Sequence, residues 1–504
     1  MEINKRDIEV VQENKLSYNV AENSEDENIC GNVVISIEDM LKQLPSINGK
    51  SRSIYRVSKQ LREMNPKAYA PQVISTGPFH HGCQKDFRDT EQHKLRALIN
   101  FLRRINNDNM KCSLEDLVKK AHSWMKDARD CYAEPIEMDD HDFLKIMLVD
   151  ACFIIEFFIL DYDRYEKNGG RFNQIPDNVD LTLLCEEKKT DIFYDLIKLE
   201  NQVPFFLLQS LFDLIPKHDV PMISSFRSDD EDDPISLIDL TDMALKWFEL
   251  MHKYEINDLY EKEPKHLVDF LSFYFVPLPP DDMQKKQDEK NSEKKNNYFL
   301  SFFCCLWNKE KSENESLIIT PSITELSEAG ATIKKAENAK NLRNITFKNG
   351  VLEIPPILIY DEFELMLRNI VAFEQISAGN KNMYVTQYVL FLDDLISTEK
   401  DVSLLVKAGV IINNIGGNDK EVSSLFNHLG KFVSESSSTY FDDIRKALRE
   451  HCNGRWNKAK ASLKHNYFNT PWAFISFLAA TFLILLTLFQ TIFSAISAFP
   501  RRPT

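Results

Sequence analysis

Phe143-Leu-Lys-Ile-Met-Leu-Val-Asp-Ala-Cys-Phe-Ile-Ile-Glu-Phe-Phe-Ile-Leu160 is apolar nearly all round, and how it is read decides the fold. A run of this length could cross a bilayer. Lys145, Asp150 and Glu156 argue otherwise, because each charge costs about 3 kcal/mol near a bilayer centre on insertion scales. A helix that is hydrophobic on all sides is also what the middle of a large helical domain requires. The stretch is therefore expected to be a central core helix.

Its neighbours continue the helical pattern. Leu95, Leu98, Ile99, Leu102 and Ile105 form an i, i+3, i+4, i+7 stripe, with Asp89 or Thr90 as the expected N-cap. Ser113-Leu-Glu-Asp116 resembles a capping box and opens a helix expected to bury Leu114, Leu117, Val118, Ala121, Met125 and Ala128. Residues 192–212 read as two helices joined at Asn201 to Pro204, with Pro204 near the start of the second. Further helices are expected at 235–252, 264–275, 322–340, 361–377, 384–397, 401–413, 421–434 and from 440 onward. Between Ile54 and Gly82, Pro66, Pro71, Gly77, Pro78 and Gly82 forbid a continuous helix. Interleaved aromatic and aliphatic anchors make that segment a fixed wrap over a core. Asn349-Gly350 between alternating apolar residues predicts a small β-hairpin over 345–355.

Three stretches lie apart from this pattern. Residues 1–45 read as an acidic, disordered tail in which only a short helix, from about Ser36 to Pro45, is expected; Met1 to Asn48 hold ten acids against four bases. Residues 278–318 form a polar insert expected to be disordered, with an apolar island at Tyr298–Trp307. Asn466 to Pro500 carry no charge, and a span of about 472–493 is expected to cross a membrane, with Trp472, Arg501 and Arg502 at its interfaces. The fold class is thus mainly α: one large helical domain over 46–465 with a small hairpin, a disordered insert and a C-terminal transmembrane helix over 466–504.

Composition narrows the functional classes. A net charge of −16 across 504 residues argues against generic nucleic-acid binding. Asp229–Asp233 reads as a solvated acidic patch. The start of the chain lacks a signal-peptide core, and Glu2 excludes the myristoylation pattern. Nine scattered cysteines without a CxxC pair fit reduced thiols in a cytosolic compartment. Phosphate-loop, dinucleotide, nucleophile-elbow and HExxH signatures are all missing.

The ordered motifs resemble those of the plant domain-of-unknown-function family 247, also catalogued as the uncharacterised UPF0481 family. They include Ile54-Tyr-Arg-Val57, Asn65-Pro-Lys-Ala-Tyr69, Gly77-Pro-Phe-His-His-Gly82 and Ala128-Arg-Asp-Cys-Tyr132. Cys152-Phe-Ile-Ile-Glu156, Leu199-Glu-Asn-Gln-Val-Pro-Phe-Phe206, Glu325–Gly330, Gly350–Pro355, Arg368–Gln375, Leu425–Asn427 and Tyr467–Trp472 continue the series. Ser58 and Thr76 depart from the expected proline and isoleucine. The resemblance implies a membrane-anchored helical plant protein without a known active site. Some relatives are linked to pollen-side self-incompatibility in grasses, which implies recognition or signalling.

The candidate chemical sites are few. His80, His81, Cys83 and His93 invite a zinc reading, but adjacent histidines rarely reach one ion, and a turn is the preferred reading. Asp161–Gly170 starts like a calcium loop and fails at Tyr165, Glu166 and Phe172. Glu91, Glu156, Glu200 and Glu374 are read first as structural partners of Arg56, Arg96, Arg129 or Arg368, and second as acids or bases. No catalytic, cofactor or metal residue is therefore assigned. Cys304 and Cys305, among aromatics and preceded by lysines, are the lipidation candidates.

Seven Lys/Arg between Arg445 and Lys464 place the large domain in the cytosol by the positive-inside tendency, as a tail-anchored, single-pass protein expected at the plasma membrane. An outward-facing domain would instead expose Asn314 and Asn344 as glycosylation acceptors. Two functional classes follow. The first is a non-enzymatic recognition, scaffold or signalling protein with a protein partner and a homodimer through polar groups of the span. The second is an enzyme of unrecognised type sited near 77–82 and 199–206.

Overall fold

The computed structural model describes residues 24–42, 52–82, 87–106, 112–167, 186–216, 240–241, 243–244, 263–275, 320–337, 339, 342–360, 362–377, 383–434, 440–454, 457 and 471–498. Two compact units are present, Met1–Arg52 and Ser53–Thr504. The first contains helix α1 (Ser24–Lys42), which starts twelve residues before the Ser36 expected from its apolar spacing. The polar, acidic half of the sequence thus joins the helix that its apolar half predicts.

The second unit opens with α2 (Lys59–Met64), a 3-10 turn (Pro66–Ala68), α3 (Arg88–Ile105), α4 (Leu114–Asp130) and α5 (Asp140–Lys167). The opening stretch is the core helix. Phe143, Met147, Ala151, Phe153, Ile155, Phe158 and Ile159 are all buried in protein, as are Asp150 and Glu156. Helices α3, α4 and α7 (Phe205–Phe212) pack on it, and α6 (Glu186–Leu196) precedes α7 in the chain. The capping box at Ser113 and Asp116 is present. Pro204 is the N-cap of α7, where its missing N–H costs nothing.

Two expected core faces differ. Helix α3 turns Ala97, Phe101 and Ile105 inward, together with Thr90 and Lys94, and leaves Leu95 and Ile99 about half exposed at 53% and 49%. The rotation follows from Lys94, which is drawn inward to the buried Asp150 at 2.7 Å. Thr90 does not cap this helix: its hydroxyl donates to Val73 O at 2.8 Å, and Phe87 stands at the N-cap. In α4, Leu114 is exposed and Val118 half-buried, while Leu117, Ala121, Met125 and Ala128 are buried as expected.

The second half holds α8 (Leu267–Phe275), α9 (Ile323–Glu328), β1 (Thr332–Lys335), β2 (Thr346–Lys348), β3 (Val351–Ile354) and β4 (Ile357–Ile359). It continues with α10 (Phe363–Ser377), α11 (Tyr384–Leu395), α12 (Glu399–Lys407), β5 (Ile411–Asn413), α13 (Asp419–Leu429) and α14 (Asp442–Asn453). Strands β2 and β3 form the expected hairpin. Asn349 and Gly350 have φ of 52° and 76°, the left-handed pair that a two-residue turn with the twist of its strands demands. The expected helix at 322–340 ends at Glu328, and 332–335 instead form β1, parallel to β3. Gly330, at φ 90°, ends the helix where no side chain would allow the chain to turn so readily. Likewise 401–413 divides into α12 and β5, and β5 pairs in parallel with β4. Most of the expected helix at 235–252, the insert at 278–318 and the segment 458–470 lie outside the described residues.

The chain ends its described course in α15 (Pro471–Ala498). Within it Ile475–Ser494 has a mean hydropathy of 2.1, and none of that window is buried.

Candidate functional site

The two motif segments named above meet. Leu199–Val203 is the buried turn between α6 and α7, and the wrap Ser53–Gly77 lies along it. Backbone polar groups in such an irregular segment need partners once buried, and the turn supplies them residue by residue.

Asp195, at the end of α6, accepts three consecutive N–H groups: Gln72 at 2.9 Å, Val73 at 2.6 Å and Ile74 at 2.8 Å. Lys198 Nζ donates to the same carboxylate at 2.9 Å and to Ala70 O at 2.7 Å. Asn201 accepts from Thr76 N at 2.7 Å and donates to Ile74 O at 3.0 Å, while the Thr76 hydroxyl donates to Asn201 O at 2.6 Å. Gln202 donates to Leu196 O and Lys198 O, both at 2.7 Å, and accepts from Val268 N at 3.2 Å. Leu199 N donates to Asn369 Oδ1 at 2.9 Å, and Asn369 Nδ2 donates to Ala68 O at 2.8 Å. The amide motif therefore joins the wrap to α10.

Gly77 shows why glycine stands there. Its φ is 70°, and a Cβ would lie 2.6 Å from Gln202 O. Its N–H donates to Asp150 Oδ2 at 2.8 Å, and Lys94 holds the other oxygen of that carboxylate at 2.7 Å. Burial pushes the Asp150 carboxyl up, more than Lys94 and the Gly77 N–H pull it down.

Glu200 is the most heavily served carboxylate. Val57 N donates to it at 2.7 Å, Arg62 bonds it directly, His80 Nε2 lies at 3.3 Å and Arg56 at 3.9 Å. Burial alone would raise its pKa, yet His80, the Val57 N–H and Arg62 outweigh burial and hold it below the usual carboxylate range. His80 is thus placed against Glu200, while the neighbouring His81 is exposed and Cys83 is outside the described residues. Arg56 also pairs with Glu134 at 3.0 Å and stacks over the Phe79 ring at 4.3 Å.

The other motif carboxylates have similar duties, with partners that differ from the arginines expected. Glu156 accepts from Arg104 at 2.8 Å, and Glu91 from Lys94 at 2.6 Å. Arg368 pairs with Glu364 at 2.6 Å, and Arg129 with Asp140 at 2.9 Å. Glu374 accepts Val385 N at 3.0 Å and Thr386 N at 2.7 Å, and so caps the start of α11. Burial raises its pKa to about 7 despite those donors.

Sequence reasoning missed His266. It is fully buried, its Nε2 donates to Ser53 O at 3.0 Å, and its Nδ1 accepts from Asp269 N at 3.2 Å. That pairing fixes a neutral tautomer, and burial lowers its pKa to about 3. Nothing near His266 in sequence marks it, because its partner lies 213 residues away.

Asp139, His141 and Asp142 bring three ligand atoms within 4.8 Å of one another at an exposed site. Asp139 accepts the Asp142 N–H at 2.7 Å, and Asp142 pairs with Lys145 at 2.7 Å. These are the contacts of a capped helix start. Along α15, the Thr481 hydroxyl donates to Phe477 O, Thr487 to Leu483 O and Thr491 to Thr487 O. The span's threonines therefore satisfy their own donors within the helix. Trp472 is 78% exposed at the start of that helix; Cys304, Cys305, Arg501 and Arg502 lie outside the described residues.

Comparison with known proteins covers most of the second unit. A family described as plant protein of unknown function, DUF247, matches residues 54–486. A UPF0481 protein of Arabidopsis thaliana is 28% identical over 461 residues, covering 90% of this chain and 88% of that protein. A putative UPF0481 protein of the same plant is 25% identical over 516 residues, covering 89% and 91%. No solved structure matches.

Proposed function

The chain belongs to the plant family DUF247, and from that premise we propose a membrane-anchored recognition or scaffold protein that performs no catalysis of its own. One observation carries the reading: Ile475–Ser494 is long and apolar enough to span a bilayer, and protein covers none of it. Left in water, about 20 such residues would expose an apolar surface far larger than a soluble monomer tolerates. A bilayer is the environment that removes that surface from water.

The motif residues support the non-catalytic half of the reading. Asp150, Asp195, Asn201, Gln202 and His266 are buried and already engaged with backbone groups. A general acid or base must instead meet a substrate proton. Bases at 445, 446, 449, 455, 458, 460 and 464 precede the span, which favours a cytosolic domain at the plasma membrane. Within the span, Gln490 brings a carboxamide into hydrocarbon, which favours pairing with a second copy.

Membrane attachment is tested by alkaline carbonate extraction of the full chain and of a chain stopped after residue 470. The full chain is expected in the pellet and the shortened one in the supernatant. Release of the full chain by carbonate would refute the anchor. A glycosidase-sensitive mobility shift at Asn314 or Asn344 would refute the cytosolic side alone.

A further inference from the structure

Helix α3 turns to solvent a face whose charge is opposite to that of the chain as a whole. Gln92, Leu95, Arg96, Ile99, Arg103 and Asn106 are exposed, and the 3.6-residue turn gathers them on one arc of the helix. Leu95 and Ile99 stand on one side of that arc, while Arg96 and Arg103 stand on the other. No acid is among the six. Lys94 and Arg104 do not count toward this charge, because Asp150 and Glu156 hold them at 2.7 Å and 2.8 Å. Among the described residues, no carboxylate pairs with Arg103.

The face is fixed in place. On the opposite side of the helix, Lys94 Nζ is held by Asp150, Glu91 and Ser75 O. Rolling α3 to hide Leu95 and Ile99 would strip a buried ammonium of its acceptors.

We propose that this face rests on an anionic lipid leaflet, that of the membrane holding α15; the proposal rests on the anchored reading given above. Aliphatic side chains edged by arginines suit a helix lying in a bilayer interface. The apolar groups enter, and the guanidiniums reach up to the phosphates. An anionic leaflet repels a chain of net charge −16 wherever acids face it, so an acid-free face is where the domain can approach. Two half-exposed aliphatics fall far short of the roughly 800 Å² per partner that a stable protein interface buries. A tethered domain needs no such area. Residues 458–470, thirteen in number, give at most about 45 Å of chain before the span, which keeps the leaflet close.

The test places a benzophenone amino acid at Ile99 of the full chain, reconstituted in vesicles of phosphatidylcholine with phosphatidylserine and irradiated. A covalent lipid adduct is expected. Its yield should fall several-fold in phosphatidylcholine alone. In the mixed vesicles Arg103→Gln should lower it by about fivefold, the worth of one base at an anionic surface. The same amino acid at Lys119, on a face of α4 that also exposes Glu115 and Asp116, should give little adduct. No lipid adduct at 99, a yield equal to that at 119, or a yield unchanged without phosphatidylserine overturns the proposal. So does a crosslink from 99 to protein in place of lipid. Placed at Leu485, inside the span, the benzophenone reports on the anchor alone. An adduct at 485 without one at 99 refutes the docking and leaves the anchor standing, whereas loss of both refutes the anchored reading as well.

Discussion

Asp195→Ala is expected to destabilise the full chain by about 3–5 kcal/mol, the usual cost of breaking a buried, fully partnered ion. The carboxylate serves three successive backbone N–H groups and the Lys198 ammonium, all in the interior. Its loss leaves those donors unpaired, and each buried unpaired group costs about 1–3 kcal/mol. Lys198 keeps one partner, Ala70 O, which limits the total. Since whole domains are stable by only about 5–15 kcal/mol, this one change removes a large fraction. Urea denaturation followed by circular dichroism in detergent reads the shift. A variant within about 0.5 kcal/mol of the parent would show that the wrap does not depend on this clamp. Asp195→Asn keeps the shape with one fewer acceptor, and should fall between the two.

Glu374→Gln should change how stability depends on pH. An ordinary Glu titrates near 4.5, whereas burial raises this one to about 7 in the folded chain. Between those values the folded state holds the proton more tightly than the unfolded state does. The stabilisation from Glu374 is therefore fully present below about pH 4.5 and is lost as pH rises through about 7. The shift corresponds to on the order of 3 kcal/mol. His266 has the opposite sign: its pKa is lowered to about 3, so its contribution is lost as pH falls from 6.5 toward 3. Taking the difference between parent and Glu374→Gln at each pH cancels His266 and isolates Glu374. That difference should fall by a few kcal/mol from pH 4.5 to pH 8. A difference that stays flat would mean that Glu374 is ionised through the whole range in the folded chain.

The fold was legible wherever a local rule and the tertiary structure agree. Asn349-Gly350 announces its hairpin, Ser113 with Asp116 its helix start, and the charges of 143–160 a core helix in place of a second span. Legibility failed where a distant partner overrides local spacing. Nothing within α3 says that Lys94 will turn inward, because Asp150 lies on another helix. Once Lys94 is buried, the 3.6-residue repeat carries Leu95 and Ile99 outward with it. Strands β1 and β5 were hidden for a related reason. Each is a short parallel partner of a strand elsewhere, and pairs of that kind leave little periodicity to read. The candidate site was half legible. Its motif residues stand out in the sequence, but their acceptors and donors are main-chain groups of Val57 and Gln72–Gly77, which no side-chain pattern records.

Amide hydrogen exchange across residues 53–77 of the full chain tests the central claim most directly, namely that these motif residues hold a rigid wrap. Val57, Val73, Ile74, Thr76 and Gly77 each donate to a buried side chain of Glu200, Asp195, Asn201 or Asp150. Their amides are predicted to exchange as slowly as those of the core helix at 143–160, opening only with the domain as a whole. Exchange as fast as that of solvent-exposed loops would contradict the account, because it would make 53–77 a mobile loop of the kind that opens and closes over a catalytic site.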